Sequence, residues 1–161
     1  MKRLGDYLIY IGVKKEHEIA VGCGMKVVCA LNRAKGFVTH QSVVGWEGRG
    51  CDSGNLYYLY KRDCDAIYLN MIDGDRPEYV NDVMVNAALD FISYWVDSGS
   101  EVFIYCSRGE SRAPSIALMW LLENGMIERC VDTVKIFKRD FYRGYIPKSG
   151  NLLYIKRRWK I

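Results

Sequence analysis

Proline and histidine are scarce in this chain of 161 residues, which holds three of the first and two of the second. Pro77, Pro114 and Pro147 are scattered, and no Pro/Ser-rich linker or internal repeat divides the chain, so one continuous domain over residues 1–161 is expected. Long apolar runs are also missing: none approaches the ~18–20 residues of a membrane span. The opening MKRLGDYLIYIG is broken at Gly5 and Asp6 before a signal-peptide core develops, which predicts a soluble, cytoplasmic protein without a membrane partner. Charge is close to balanced. Lys+Arg 23 against Asp+Glu 19 leaves +4, a mild excess that suits anionic ligands without making a nucleic-acid footprint. The six cysteines, Cys23, Cys29, Cys51, Cys64, Cys106 and Cys130, have no Cys-x-x-Cys or similarly close spacing and no His pair beside them. No metal site is expected, and the cysteines read as reduced, buried small hydrophobes.

What is present describes a globular protein. Hydrophobic residues make up 50% and charged residues 26%, and 12 Tyr and 4 Trp raise the aromatic share to 13%, which excludes global disorder. Most of these rings are expected in the core, with Tyr57, Tyr58 and Tyr60 as candidates for the wall of a cleft. Short β-branched and aromatic runs at Tyr7–Ile11, Lys26–Ala30, Ala66–Leu69 and Val102–Tyr105 predict buried strands. Apolar residues at three- and four-residue steps predict a helix over Glu78–Val96, through Val80, Val83, Met84, Ala87, Phe91 and Trp95, stopped by Ser98-Gly99. Further helices are expected over Ala113–Asn124, Val131–Tyr142 and Asn151–Trp159, with Pro114 tolerated in a first turn. Strands alternating with helices indicate an α/β fold, a central, mostly parallel sheet flanked by helices, with chemistry at the carboxyl ends of its strands.

One stretch carries a chemical signal: VFIYCSRGESRAPSIALMWLL runs an apolar strand into Cys106 and, after Ser107, Arg108, Gly109, Glu110 and Ser111, places Arg112 at the start of a helix. A loop between a strand end and a helix N-terminus can turn its N–H groups inward and cradle an anion, and Gly109 lets the backbone curl. A helix N-terminus and a fixed guanidinium favour a thiolate over a thiol, which makes Cys106 a candidate nucleophile. Arg112 offers a planar fork matched to two phosphoryl oxygens. A departing alkoxide or phenoxide also needs an acid, worth ~10²–10⁴ in rate, and the polar loop in LNMIDGDRPEY presents Asp73 and Asp75 for that role.

Cys106-Ser107-Arg108-Gly109-Glu110-Ser111-Arg112 resembles the Cys-x-x-Gly-x-Ser-Arg signature of cysteine-dependent protein tyrosine phosphatases, and the Ser before the Arg points to the dual-specificity branch. The likeness runs from about Leu69 to Leu122 and is strongest to compact bacterial and phage-type members. It implies a phosphotyrosine-phosphatase-like fold and a phosphocysteine mechanism: Cys106 attacks phosphorus, Arg112 clamps the phosphoryl group, and Asp73 protonates the leaving oxygen and then activates water. Asp75 remains the alternative acid. It also implies phosphorylated protein or peptide substrates, binding of phosphate-like oxyanions, and no metal or cofactor. Two positions depart from the family: Tyr105 stands where it has His, and Ala113 where it has Ser or Thr. The missing hydroxyl implies a slow second step unless Ser111 or Ser115 substitutes.

Two alternatives remain, a phospho-binding protein with little turnover and an RNA 5′-triphosphatase, although the near-balanced charge gives nucleic acid little support. His17 and His40 lie in polar stretches and are expected at the surface or in loops, with His40 a candidate support for the site loop. The basic run Lys156-Arg157-Arg158-Trp159-Lys160 is read as the solvated face of a terminal helix.

Overall fold

The computed structural model of the protein describes residues 1–31 and 56–161, so His40 and Cys51 lie outside the described residues. Its strands are β1 (Lys2–Arg3), β2 (Ile9–Val13), β3 (Lys26–Cys29), β4 (Tyr60–Arg62), β5 (Ala66–Leu69) and β6 (Val102–Cys106). They form one sheet in the order β1-β2-β6-β3-β5-β4. The four inner strands are parallel, and β1 and β4 pair antiparallel at the edges. All four expected strands are present, the first shifted by two residues to Ile9–Val13. The edge strands were not expected from the sequence, because segments this short and this exposed carry no apolar run. By contrast every residue of β6 is buried, as suits the middle of a sheet covered on both faces.

The helices are α1 (His17–Gly22), α2 (Asp82–Asp97), α3 (Arg112–Glu123), α4 (Thr133–Ile136) and α5 (Ser149–Trp159). The expected helix over Glu78–Val96 is divided. Pro77–Tyr79 forms a separate 3₁₀ turn, and α2 starts after Asn81, whose side-chain oxygen accepts from the N–H groups of Val83 at 2.9 Å and Met84 at 3.4 Å. The helix buries Met84, Val85, Ala88, Leu89, Phe91 and Ile92 and leaves Val83 57% exposed. The helix expected over Val131–Tyr142 is also corrected: α4 is one turn and runs into a π-helical segment, Phe137–Phe141. A bond from the Tyr142 N–H to the Phe137 carbonyl at 2.9 Å closes that wide turn, which apolar spacing does not reveal.

Helix α3 lies deepest. Every residue from Arg112 to Leu122 is buried, and the helix packs on β2 and β6, with α2 and α5 against it. Its position fixes the exit of β6 and therefore the loop between them. Cys29 and Cys106 are buried as expected, but Cys130 is only partly enclosed, and Cys23 and Cys64 are exposed in the connections after α1 and between β4 and β5. Lys156, Arg157 and Lys160 face solvent, whereas Arg158 is half-buried over the Trp159 ring and pairs with Asp82 at 3.6 Å and Glu123 at 3.9 Å. Among the described residues no helix is long and apolar enough to cross a membrane.

Asn81→Ala removes the side-chain acceptor at the start of α2 and should cost about 1 kcal/mol of stability, read from urea unfolding. An unchanged midpoint would mean that the cap is idle.

Candidate active site

Cys106 ends β6 and is 3% exposed, and Arg112 opens α3 six residues later. The chain between them curls against β2. Gly109 has a φ of +70°, and a Cβ there would stand 3.1 Å from the Gly12 carbonyl oxygen, so the turn requires glycine. Ser111 occupies the N-cap position of α3 without capping it. Its hydroxyl donates instead to Asp73 Oδ1 at 2.7 Å. Among the described residues no side chain therefore accepts from the first-turn N–H groups of α3.

Arg112 is 4% exposed, and its guanidinium is held by neighbours rather than water. Nη1 donates to the Met71 carbonyl at 3.2 Å and Nη2 to Ser107 Oγ at 3.0 Å. Among the described residues Nε finds no hydrogen-bond partner, and it lies 3.8 Å from Asp73 Oδ2, a charge contact. Two bonds at one end and a carboxylate at the other fix the plane of the fork.

Asp73 is half-buried, and its Oδ1 accepts from Ser111 Oγ and, at 3.1 Å, from Asn151 Nδ2. Asp75 is exposed, with Oδ1 accepting from Ser149 Oγ at 3.1 Å. The structure thus brings Asp73 beside Arg112 and leaves Asp75 on the outer side of the same loop. Asn151 was missed as a site residue, since it reads as the start of the last helix and nothing in the sequence links it to a loop 78 residues away. Burial to 1% exposure is the signal that singles it out.

Both hydroxyls that were candidates to replace the one missing at Ala113 are engaged. Ser111 serves Asp73, and buried Ser115 shares a 3.0 Å hydrogen bond with the Tyr145 hydroxyl. Beneath the loop, Tyr105 is fully buried between Phe103, stacked at 5.4 Å, and the His17 ring, tilted at 5.4 Å. Burial, with Cys29 as its neighbour, pushes the Tyr105 phenol up, and burial pushes the Cys29 thiol up to about 11. His17 is therefore corrected from a surface residue to one packed against the strand that delivers Cys106, its side chain 14% exposed.

A cleft of about 840 Å³ opens beside the loop, lined among others by Lys14, Lys15, His17, Ser107, Arg108 and Glu110. Arg108 and Glu110 pair at 3.1 Å on its rim. Tyr57, Tyr58 and Tyr60 line a different groove of about 700 Å³ that includes no residue of the 106–112 loop. Among the described residues no group of three or more His, Cys, Asp or Glu side chains is placed to hold a metal ion.

No protein-family model matches the sequence, and no curated protein matches it. Solved structures do. The chain is similar to the Cydia pomonella phosphatase PTP-2 at a TM-score of 0.65 and 13% identity, covering 98% of this chain and 90% of that one. A leucine-rich-repeat and phosphatase-domain protein from Entamoeba histolytica gives 0.63 and 14%, covering 98% and 91%. The human tyrosine phosphatase-like serine/threonine/tyrosine-interacting protein gives 0.59 and 11%, covering 93% and 89%. The chain has the fold of the protein tyrosine and dual-specificity phosphatase-like proteins.

Iodoacetamide at about pH 8 should label Cys23 and Cys64 in the folded protein and spare Cys29, whose thiol is enclosed and held protonated. Peptide mass mapping reads the order, and labelling of Cys29 as fast as Cys64 would contradict the burial.

Proposed function

We propose that residues 1–161 form a cysteine-dependent phosphatase domain that hydrolyses phosphotyrosine, and with it phosphoserine or phosphothreonine, monoesters of proteins through a phosphocysteine intermediate. The observation that carries this reading is the buried Arg112 guanidinium, fixed by Met71 and Ser107 over a loop that begins with Cys106 at the carboxyl edge of the sheet.

In the first step the Cys106 thiolate attacks phosphorus and forms the S–P bond while the bond to the leaving oxygen breaks. N–H groups of Ser107, Arg108, Gly109, Glu110 and Ser111, together with Arg112, hold the phosphoryl oxygens, an arrangement worth several kcal/mol where charge develops. Asp73 gives its proton to the departing oxygen. The same carboxylate then takes a proton from water, which attacks phosphorus, breaks the S–P bond and regenerates the thiolate with release of phosphate. All of these steps use side chains of the chain and water, without metal or cofactor.

Two observations support variants of this scheme. Asp73 Oδ1 already accepts from Ser111 and Asn151, whereas Asp75 is exposed, which favours a second reading in which Asp73 anchors and Asp75 is the donor. The engagement of Ser111 and Ser115, with Ala113 lacking a hydroxyl, favours slow release of the phosphocysteine and, at its limit, a phospho-binding protein with little turnover.

Loss of the true acid should matter most for a basic leaving group. Asp73→Asn is expected to slow phenyl phosphate hydrolysis by ~10²-fold or more and to affect an activated aryl phosphate much less, while Asp75→Asn stays near wild type. The reverse pattern in the two rate series assigns the acid to Asp75.

Slow release of the phosphocysteine predicts a burst of phenolate, close to one per protein, ahead of a slow steady state. Ala113→Ser should raise the steady-state rate and shrink the burst; stopped-flow traces without a burst and without a gain would remove the role given to Ala113.

A further inference from the structure

The first turn of α5 lies against the 73–76 loop more closely than helix packing requires. The Gly150 N–H donates to the Gly74 carbonyl at 3.2 Å, and a Cβ at Gly150 would stand 2.6 Å from both the Gly74 and Arg76 carbonyl oxygens. Glycine there lets backbone meet backbone, and the next residue, Asn151, is carried in under the loop. Its amide Nδ2 donates to Asp73 Oδ1 at 3.1 Å and to Ser111 Oγ at 3.0 Å. The orientation of the amide follows from its partners: a carboxylate oxygen accepts only, and the Ser111 hydroxyl already gives its hydrogen to Asp73, so both need a donor. The Lys148 N–H, also from the approach to α5, donates to the same hydroxyl at 3.0 Å.

We propose that Asn151 is a positioning residue of the site: it locks the Asp73 carboxylate and the Ser111 hydroxyl into one hydrogen-bonded triad and through Asp73 holds the Arg112 fork in its oxyanion-binding position. This deepens the phosphatase reading in the form where Asp73 anchors and Asp75 donates, and rests on it for the reaction, but not for the oxyanion site itself. Three segments distant in sequence meet at this amide: the acid loop at Asp73, the phosphate loop at Ser111 and α5. Arg112 Nε faces Asp73 Oδ2 at 3.8 Å, so a carboxylate free to rotate about its side chain would withdraw the negative charge from that end of the guanidinium. Asn151 is 1% exposed, and water does not replace its two hydrogens.

The test measures tungstate binding by calorimetry on the full chain, with near-ultraviolet circular dichroism to establish folding and turnover of phenyl phosphate alongside. Asn151→Leu keeps the size and removes both donors; it should weaken tungstate binding roughly tenfold, the scale of one lost charge-assisted hydrogen bond, and lower kcat on phenyl phosphate. Asn151→Asp sets carboxylate against carboxylate and should weaken binding further. In the double variant Asn151→Asp/Asp73→Asn the polarity of the bond is exchanged, and binding should recover relative to Asn151→Asp alone. Wild-type tungstate affinity in folded Asn151→Leu overturns the proposal, as does a double variant no tighter than Asn151→Asp. If Asn151→Leu does not fold, the exchange pair decides alone. A wild-type protein that binds tungstate but turns over no phosphate ester removes the reaction and leaves the positioning role to be decided by the same affinities. A wild-type protein that does not bind tungstate overturns both.

Discussion

A guanidinium that is 4% exposed must find hydrogen bonds and a counter-charge inside the protein, and Arg112 finds them in Met71, Ser107 and Asp73. An uncompensated charge at that depth would cost several kcal/mol, more than most single interactions in a small domain return. The position of Arg112 therefore constrains the chain just after β5, the start of the 106–112 loop and the loop that carries Asp73 at the same time. Asp73 in turn is held by Ser111 and by Asn151 of α5, so the requirement passes from one buried cation to the last helix of the chain. The Ser111 hydroxyl, drawn into this network, leaves the start of α3 without a cap from its N-cap residue, and in the proposed reaction that helix end receives the anion.

The fold supplies the two rigid parts between which this loop is hung. β6 is buried along its whole length between β2 and β3, and α3 is buried from Arg112 to Leu122, so neither end of the 106–112 loop has freedom to drift. Gly109 lets the loop approach the Gly12 carbonyl of β2, and Gly12 leaves room for the Phe103 ring and the Glu16 carboxylate. Under the strand, Tyr105 fills the space between Phe103 and His17 with a ring that stays protonated, a packing role that needs no titratable imidazole at that position.

Much of this was readable before the structure, and the reasons are specific. The inner strands and α3 announced themselves because they are continuously apolar and bounded by Gly, Asp or Asn, and the spacing from Cys106 to Arg112 is local, so a sequence window contains it. What the sequence did not show is either short or distant. The edge strands β1 and β4 are held by backbone pairing and carry no apolar pattern. The start of α2 was placed four residues early because apolar periodicity continues through Val80, whereas the Asn81 cap decides the boundary. Asn151 escaped because its partners, Asp73 and Ser111, lie 78 and 40 residues away. Asp73 and Asp75 are both visible as loop acids, with the family resemblance favouring Asp73, and their surroundings differ: one carboxylate is bonded inward and the other is exposed.

The central claim is that Cys106 and Arg112 form one site that transfers a phosphoryl group to sulfur. Its most direct test is to mix the protein with an aryl phosphate, quench in acid within the first turnover and map the peptides by mass spectrometry. The account predicts a phosphoryl group on the peptide carrying Cys106, accumulating with the released phenolate and absent from Cys106→Ser. Phosphate release with no adduct at Cys106, or an adduct on another residue, would contradict it.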